Sequence, residues 1–194
     1  MSNTAMMMGL GAKGPPAQVA LGLSPLLDTV TGQNAVWSQR IVDVSNYSGV
    51  TAYLVFEYTN GSSFTGDIQL DSINIGGNLY TFESTVEGFQ RNSNLNSSAY
   101  DTTTWASLTT STAGGGLWLR DSGGTASSST GLTTAAGGSW YVYAETSSPA
   151  AVAGYKFWLR SPSVVINSDT FSYYEARYGA GIGTLNVYLD VIST

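Results

Sequence analysis

The 194-residue chain contains no cysteine and no histidine. Without cysteine there is no disulfide framework and no thiolate metal site, and the usual mark of an oxidising compartment is missing. Without histidine, the Ser-His-Asp and Cys-His nucleophile systems, the common zinc sites and the ordinary general base near neutral pH are excluded together. A pair of carboxylates about 5 to 10 Å apart across a cleft is the familiar catalytic plan that survives, and no two acids in the sequence mark themselves as such a pair. Positive charge is scarce too: seven Lys and Arg, scattered singly, stand against thirteen Asp and Glu for a formal net charge of -6. That leaves no basic stripe for phosphates, so neither nucleic acid nor an anionic membrane is an expected partner. No apolar run approaches the roughly 18 residues of a membrane-spanning helix. The N-terminus lacks a basic segment ahead of an apolar run, so the expected route is synthesis in a cytosol without a signal peptide.

What the sequence does hold is apolar and aromatic side chain. Hydrophobic residues make up 42% and aromatic residues 12%, enough for a core, whereas charged residues are only 10%, so the surface must be built largely from Ser, Thr, Asn and Gly. The length suits one all-β unit. Trp37, Gln39, Ile41 and Asp43 alternate with Ser38, Arg40, Val42 and Val44, and the run closes in the turn cluster 46–49. The segment VTAYLVFEY (50–58) is β-branched and aromatic without a break, which predicts a strand covered on both faces or nearly so. Further strands are expected at 64–70, 79–83, 116–120, 139–145, 155–160, 170–178 and 184–191. Short strands punctuated by Gly, Asn and Ser, with no helical stripe, predict an antiparallel sandwich of the jelly-roll kind over 23–194.

Two regions stand apart. Residues 1–22 hold Met6, Met7, Met8, Leu10 and the pair Pro15-Pro16, with no period of 2 or 3.6. They read as an extended arm, expected to anchor the chain on other copies of itself or on a partner protein. Residues 85–138 are rich in Ser, Thr, Asn and Gly, with brief apolar islands, and predict long loops or short edge strands. Loops of a sandwich cluster at its ends, so Tyr100, Trp105, Trp118 and Trp140 are candidate ligand-stacking aromatics; the other reading makes each Trp a plug in the core.

Two stretches resemble one domain family in inverted order. FEYTNGSSFTGDIQLDSINI (56–75) is similar to the closing segment of a MAM domain, with Gly61, Gly66, Asp67, Ile68, Leu70, Asp71 and Ile73 in place. FSYYEARYGAGIGTLNVYLD (171–190) is similar to that domain's middle, through Tyr174, Tyr178, Gly179, Gly183, Leu185 and Val187. After Gly76, Gly77 and Asn78, Phe82 and Glu83 look like the family's opening pair, Trp105 like its early Trp, and LRSPSVVI (159–166) like its Leu-x-Ser-Pro step. Residues 26–49 look like the segment in which a turn precedes Trp and a strand. The resemblance, which spans roughly 26–190, implies a MAM/concanavalin-like sandwich that is circularly permuted. Gly76 to Asn78 would close a hairpin there, and the new ends would lie between LNVYLD and SPLLDTV. A strand-swapped dimer is the other wiring. The family's cysteines are missing, and Glu175 stands where it has His.

The resemblance also implies a structural calcium where the opening Glu meets the closing Asp, here Glu83 and Asp71, the alternative being that both carboxylates cap a turn. Asp67 is expected to satisfy backbone N-H groups, and Glu57 and Glu175 to pair with Arg40, Arg160 or Arg177. For function, the leading expectation is a virion structural protein: a bacteriophage capsid decoration or a head, neck or tail fibre subunit, anchored by the arm. The alternative is a carbohydrate-binding or adhesion module that meets a host surface glycan through loop aromatics. An enzyme is not expected.

Overall fold

A computed structural model describes residues 25–93, 100–101 and 115–192. The expected arm, with Met6, Met7, Met8, Leu10, Pro15 and Pro16, lies outside the described residues. The described residues form two antiparallel sheets packed against each other, a β-sandwich without an α-helix. Sheet A runs in the order β1 (Leu26–Thr31), β12 (Thr184–Val191), β3 (Thr51–Thr59), β9 (Lys156–Arg160), β6 (Gln90–Ser93), with β10 (Val164–Val165) also on β3. Sheet B runs β2 (Asn34–Asp43), β11 (Thr170–Arg177), β4 (Ile68–Ile75), β8 (Tyr141–Ala144), β7 (Trp118–Asp121), with β5 (Asn78–Tyr80) on β4.

Strand alternation builds the core. β3 buries Ala52, Leu54, Phe56 and Tyr58, and its neighbour β12 buries Leu185, Val187 and Leu189, the period-two face that a pleated strand presents. From the opposite sheet Tyr173 meets Phe56 edge to face with ring centroids 5.3 Å apart, a favoured aromatic geometry. Each such ring removed from water contributes on the order of 2–3 kcal/mol. The outer residues Tyr53, Glu57 and Thr59 are only half buried, so β3 is fully covered on one face and not on both. Its aromatic and β-branched outer residues suit a pleated surface as well as a core.

β4 begins at Ile68 and ends at Ile75, later than the strand expected at 64–70. Residues ahead of it are committed elsewhere: the Tyr58 hydroxyl donates to Gly66 O (2.6 Å) and Gly66 N donates to Thr146 Oγ1 (3.1 Å). Within β4 the core positions change phase, from Ile68 and Leu70 to Ile73 and Ile75. The cause is a bulge. Two steps along β11, from Ser172 to Tyr174, oppose three along β4, from Asn74 to Asp71, and Ser72 takes a left-handed φ of 47°. A two-residue turn then joins β4 to β5, with Gly76 and Gly77 both at positive φ (58° and 77°) and Ile75 paired to Asn78, which are the torsions a tight hairpin turn requires. β5 stops at Tyr80, short of the expected 83, and Phe82 is left-handed (φ 61°).

β9 and β10 lie in line along β3, interrupted at Ser161 and Pro162. Ser161 Oγ accepts Leu54 N (2.9 Å), and Pro162 has no N-H to give to a ladder. At the far edge of sheet A, β1 pairs β12 with Leu26 opposite Tyr188 and Thr31 opposite Thr184, and Leu189 N donates to Pro25 O (3.3 Å). The first described strand therefore starts beside the end of the last. The edge strands β6 and β7 flank the loop-rich part of the sequence, as its composition suggested.

Candidate functional site

The two sheets treat their outward-facing side chains differently. On sheet B, Asp67 at the start of β4, then Gln69 and Asp71, alternate with Ile68 and Leu70 and point away from the core, yet all three are fully buried. A strap of residues 122–139 covers them. Gln69 Oε1 accepts Leu132 N (2.5 Å) while its Nε2 donates to Leu132 O (3.0 Å), so one side chain satisfies both backbone groups of one strap residue. Asp71 Oδ2 accepts Ala136 N (2.9 Å) and Gly137 N (3.0 Å). Asp67 N donates to Thr130 Oγ1 (3.0 Å), which donates on to Tyr178 O (2.9 Å). Trp37 Nε1 donates to Thr134 O (2.8 Å), and the Tyr141 hydroxyl to Gly123 O (2.7 Å). Beneath the strap Leu119, Tyr141 and Tyr143 form a second small core with Trp37, Leu117 and Ala135. A loop without regular structure is thus supplied with the hydrogen-bond partners its backbone needs.

Burial sets the electrostatics. Desolvation pushes the Asp71 carboxyl up to about 6, against the pull of its backbone N-H partners at Gly137, Ser72 and Ala136. Asp67 is pushed up to about 7, by burial first and then by the charge of Glu145, while its Oδ1 accepts Thr146 N (2.9 Å) and Thr146 Oγ1 (2.8 Å). That is the backbone-satisfying role expected of Asp67. Its Oδ2 has no hydrogen-bond partner among the described residues. Asp67 and Glu145 are a close acid pair, both shut away from solvent.

Glu83, expected beside Asp71, does grip the same segment. Glu83 Oε1 accepts Ser139 N (2.8 Å) and Trp140 N (2.9 Å), and these two N-H groups hold its carboxyl below the usual range. Between the two carboxylates Gly138 is left-handed (φ 66°), and a Cβ there would lie 2.3 Å from Glu83 Oε1. Asp71 also accepts Ser72 N (2.6 Å), so five backbone N-H groups point at this acid pair. These N-H groups take both Asp71 oxygens and Glu83 Oε1, the arrangement of the turn-capping alternative for this pair. The pair acts as a staple for 136–140.

The aromatic candidates separate. Trp118 is fully buried in the main core, with no ring face open to a ligand. Alternation turns it inward on β7 while its neighbours Leu117 and Leu119 join the second small core under the strap. Trp140 is half exposed and has one face covered by the Arg120 guanidinium, 3.6 Å from the ring centroid; Arg120 also donates to Phe82 O and Glu83 O. A shallow hollow of about 380 Å³ beside it is walled by strap residues 122–123, 133–135 and 138–139. Trp105 lies outside the described residues. Tyr100 lies on the other sheet.

That other surface, the outer face of sheet A, carries no strap among the described residues. Cross-strand register places Tyr188, Val55, Arg160 and Gln90 in one row and Asn186, Glu57, Trp158 and Asn92 in the next, with Asp190 opposite Tyr53 beyond. Apart from Val55 these side chains are half buried. Glu57 receives the Trp158 indole N-H at Oε2 (2.8 Å) and Lys156 Nζ at Oε1 (2.9 Å). The Arg160 guanidinium lies 4.4 Å from the Tyr53 ring centroid and 4.1 Å from that of Tyr100. Glu175, by contrast, pairs with Arg177 (2.7 Å), and Arg40 pairs with Asp28 (2.6 Å). The signal missed in the sequence is Lys156-x-Trp158-x-Arg160, an alternation that places a base, an indole and a guanidinium on one face.

No protein-family model matches the chain, and no solved structure matches it.

Proposed function

We propose that this protein is a non-catalytic structural subunit that displays a rigid sandwich, of the kind that decorates a phage-type capsid or forms part of a head, neck or tail fibre. Residues 1–22 would anchor it to other copies or other virion proteins. The observation that carries this reading is the pairing of β1 with β12, which brings the starts and ends of the described strands to one edge of the sandwich. A segment preceding β1 would join the sandwich at that edge, beside the end of β12. Deleting residues 1–22 is expected to abolish assembly, read by light scattering and by mass spectrometry of purified particles, while the sandwich still melts cooperatively. Unchanged assembly, or a lone monomer absent from any particle, contradicts it.

The sandwich itself reads as a MAM-like jelly roll in permuted order. Support comes from the Gly76-Gly77 hairpin and from the adjacency of β12 and β1, the two junctions that order requires. Joining 192 to 25 through a short flexible linker and opening the chain at Gly76 is expected to preserve the fold, since the ends to be joined are strand neighbours. The rival swapped dimer would use the same pairings between chains, and such a relinked chain would then be dimeric.

A second reading is a carbohydrate-binding or adhesion module. It is favoured by the open aromatic and polar face of sheet A, where Tyr53, Tyr100, Trp158 and Tyr188 are half exposed. Rings of this kind stack on a pyranose while amides and charged groups orient it.

A further inference from the structure

The open face of sheet A holds a guanidinium whose charge no carboxylate neutralises. Of the other described cations, Arg40, Arg91, Lys156 and Arg177 each contact an acid, and Arg120 is committed to the Phe82 and Glu83 carbonyls. Arg160 has no ion pair among the described residues. Its Nε and Nη2 both donate to the neutral Gln90 Oε1, and its guanidinium carbon lies over the rings of Tyr53 and Tyr100. A guanidinium offers five N-H donors in a fixed fork. With the Nε edge taken by Gln90, Nη1 has no partner among the described residues, and the Nη1-Nη2 edge remains for a planar anion. Glu57 and Asp190 share the face but neither comes within ion-pair distance; Glu57 is occupied by Lys156 and Trp158.

A fork anchored through one edge and lying over two rings is preorganised for a carboxylate, to which it can donate two parallel N-H bonds. What surrounds it suits a sugar better than a peptide. Trp158 lies two residues from Arg160 on β9, and Tyr188 lies in the Arg160 cross-strand row on β12 with β3 between them, so their strands are about 10 Å apart, a span on the scale of two linked sugar units. Asn92 and Asn186 are amide groups at the two ends of the Trp158 row. No strand of this patch is a free edge that could add a peptide strand: β12, β3 and β9 are paired on both sides, and β6, at its margin, bridges Asp101 through Arg91.

We propose that the outer face of sheet A binds a carboxylate-bearing sugar, with Arg160 receiving the carboxylate, Trp158 beside that ring and Tyr188 beside the next sugar unit. This rests on the carbohydrate-binding reading above and names its ligand class. The full chain is titrated calorimetrically with two acidic probes, tetragalacturonate and sialyllactose, against their neutral counterparts, the methyl ester of tetragalacturonate and lactose. Tetraglutamate serves as the acidic peptide, and inorganic sulfate as the bare anion.

The expected result is that at least one acidic sugar binds tenfold or more tightly than its neutral counterpart. Arg160→Gln should remove that preference, Arg160→Lys should restore it only in part, and the Trp158 indole N-H resonance should shift on binding. Trp158→Ala should weaken acidic and neutral sugars alike. Equal affinity for acidic and neutral sugars overturns the carboxylate assignment while leaving the carbohydrate reading standing. Absence of binding to any of the four sugars overturns both. Tetraglutamate or sulfate binding as tightly as the acidic sugar overturns the sugar assignment. A preference that survives Arg160→Gln in a protein with an unchanged melting curve overturns the role of Arg160.

Discussion

The outer faces of sheets A and B are made by the same alternation, and they end differently. On sheet B the off-core side chains of Asp67, Gln69 and Asp71 are fully buried; Gln69 and Asp71 are consumed by a strap, which Asp67 meets through its backbone N-H while its carboxylate holds Thr146. On sheet A the off-core side chains of Tyr53, Glu57, Trp158, Arg160 and Tyr188 remain half exposed. The chemistry matches the fate. Sheet B presents acceptors and an amide that can satisfy a wandering backbone, while sheet A presents rings, the Lys156-Glu57 ion pair and an Arg160 held by the neutral Gln90. A polar face is therefore no guide by itself to solvent or to ligand. What decides is whether a loop donates its N-H groups to it.

The largest effect should come from breaking the strap. Asp71→Ala leaves the N-H groups of Ser72, Ala136 and Gly137 without their acceptor, and orphaned buried donors cost about 1–3 kcal/mol each in the least relaxed cases. A loss of about 3 kcal/mol in urea unfolding is expected, with strap amides exchanging faster. A change below about 0.5 kcal/mol would mean that the strap is held elsewhere.

The next effect is pH dependence. Asp67 and Asp71 have folded-state values of about 7 and about 6, both above the ordinary value of 3.8. The folded state thus keeps protons that the unfolded chain has released, so the stabilisation is full below the unfolded pKa and is lost as pH rises through 6 to 7. Stability should fall by a few kcal/mol between about pH 4 and pH 8 on this account. Asp67→Asn, which keeps an acceptor for Thr146 but removes the charge beside Glu145, should flatten the upper half of that slope. An unaltered slope in the variant would assign the titration to another group.

These expectations also show how far the residues could be read without coordinates. β12 was legible because its apolar positions keep one phase from end to end, and β3 and β11 because their β-branched and aromatic residues run on almost without a break. β4 was not, because the bulge at Ser72 switches the phase midway and a 64–70 strand was expected instead. β10 and β6 have two and four residues, too short for alternation to stand out. The strap was opaque for a different reason. Asp67-x-Gln69-x-Asp71 is indistinguishable from a solvent face until the Gly- and Thr-rich segment 122–139 is seen to lie on it. Trp118 illustrates the converse: in its Leu-Trp-Leu island it could be a ligand platform or a core plug, and the structure makes it the plug. The Glu83 and Asp71 neighbourhood was anticipated through the resemblance, but its work is stapling backbone.

The smaller effects belong to sheet A and to the corner between the faces. Glu57→Gln disrupts an ion pair whose Lys156 side chain is 42% exposed, and such pairs are worth about 0–1 kcal/mol. A stability loss above about 1.5 kcal/mol would show that this face is structural in the way the strapped face is. For the Glu83 and Asp71 corner, adding a chelator is expected to leave the melting midpoint where it was. A clear drop would return a calcium ion to that site.

Amide hydrogen exchange by NMR tests the contrast between the faces most directly. Leu132, Ala136 and Gly137 belong to no strand, yet each donates to a buried β4 side chain. They should exchange on the timescale of the sheet B strands, and Gln69→Ala should release Leu132 while Ala136 and Gly137 stay protected. If those three amides exchange like an exposed loop in the unaltered protein, the strap is not closed and the distinction between the two faces fails.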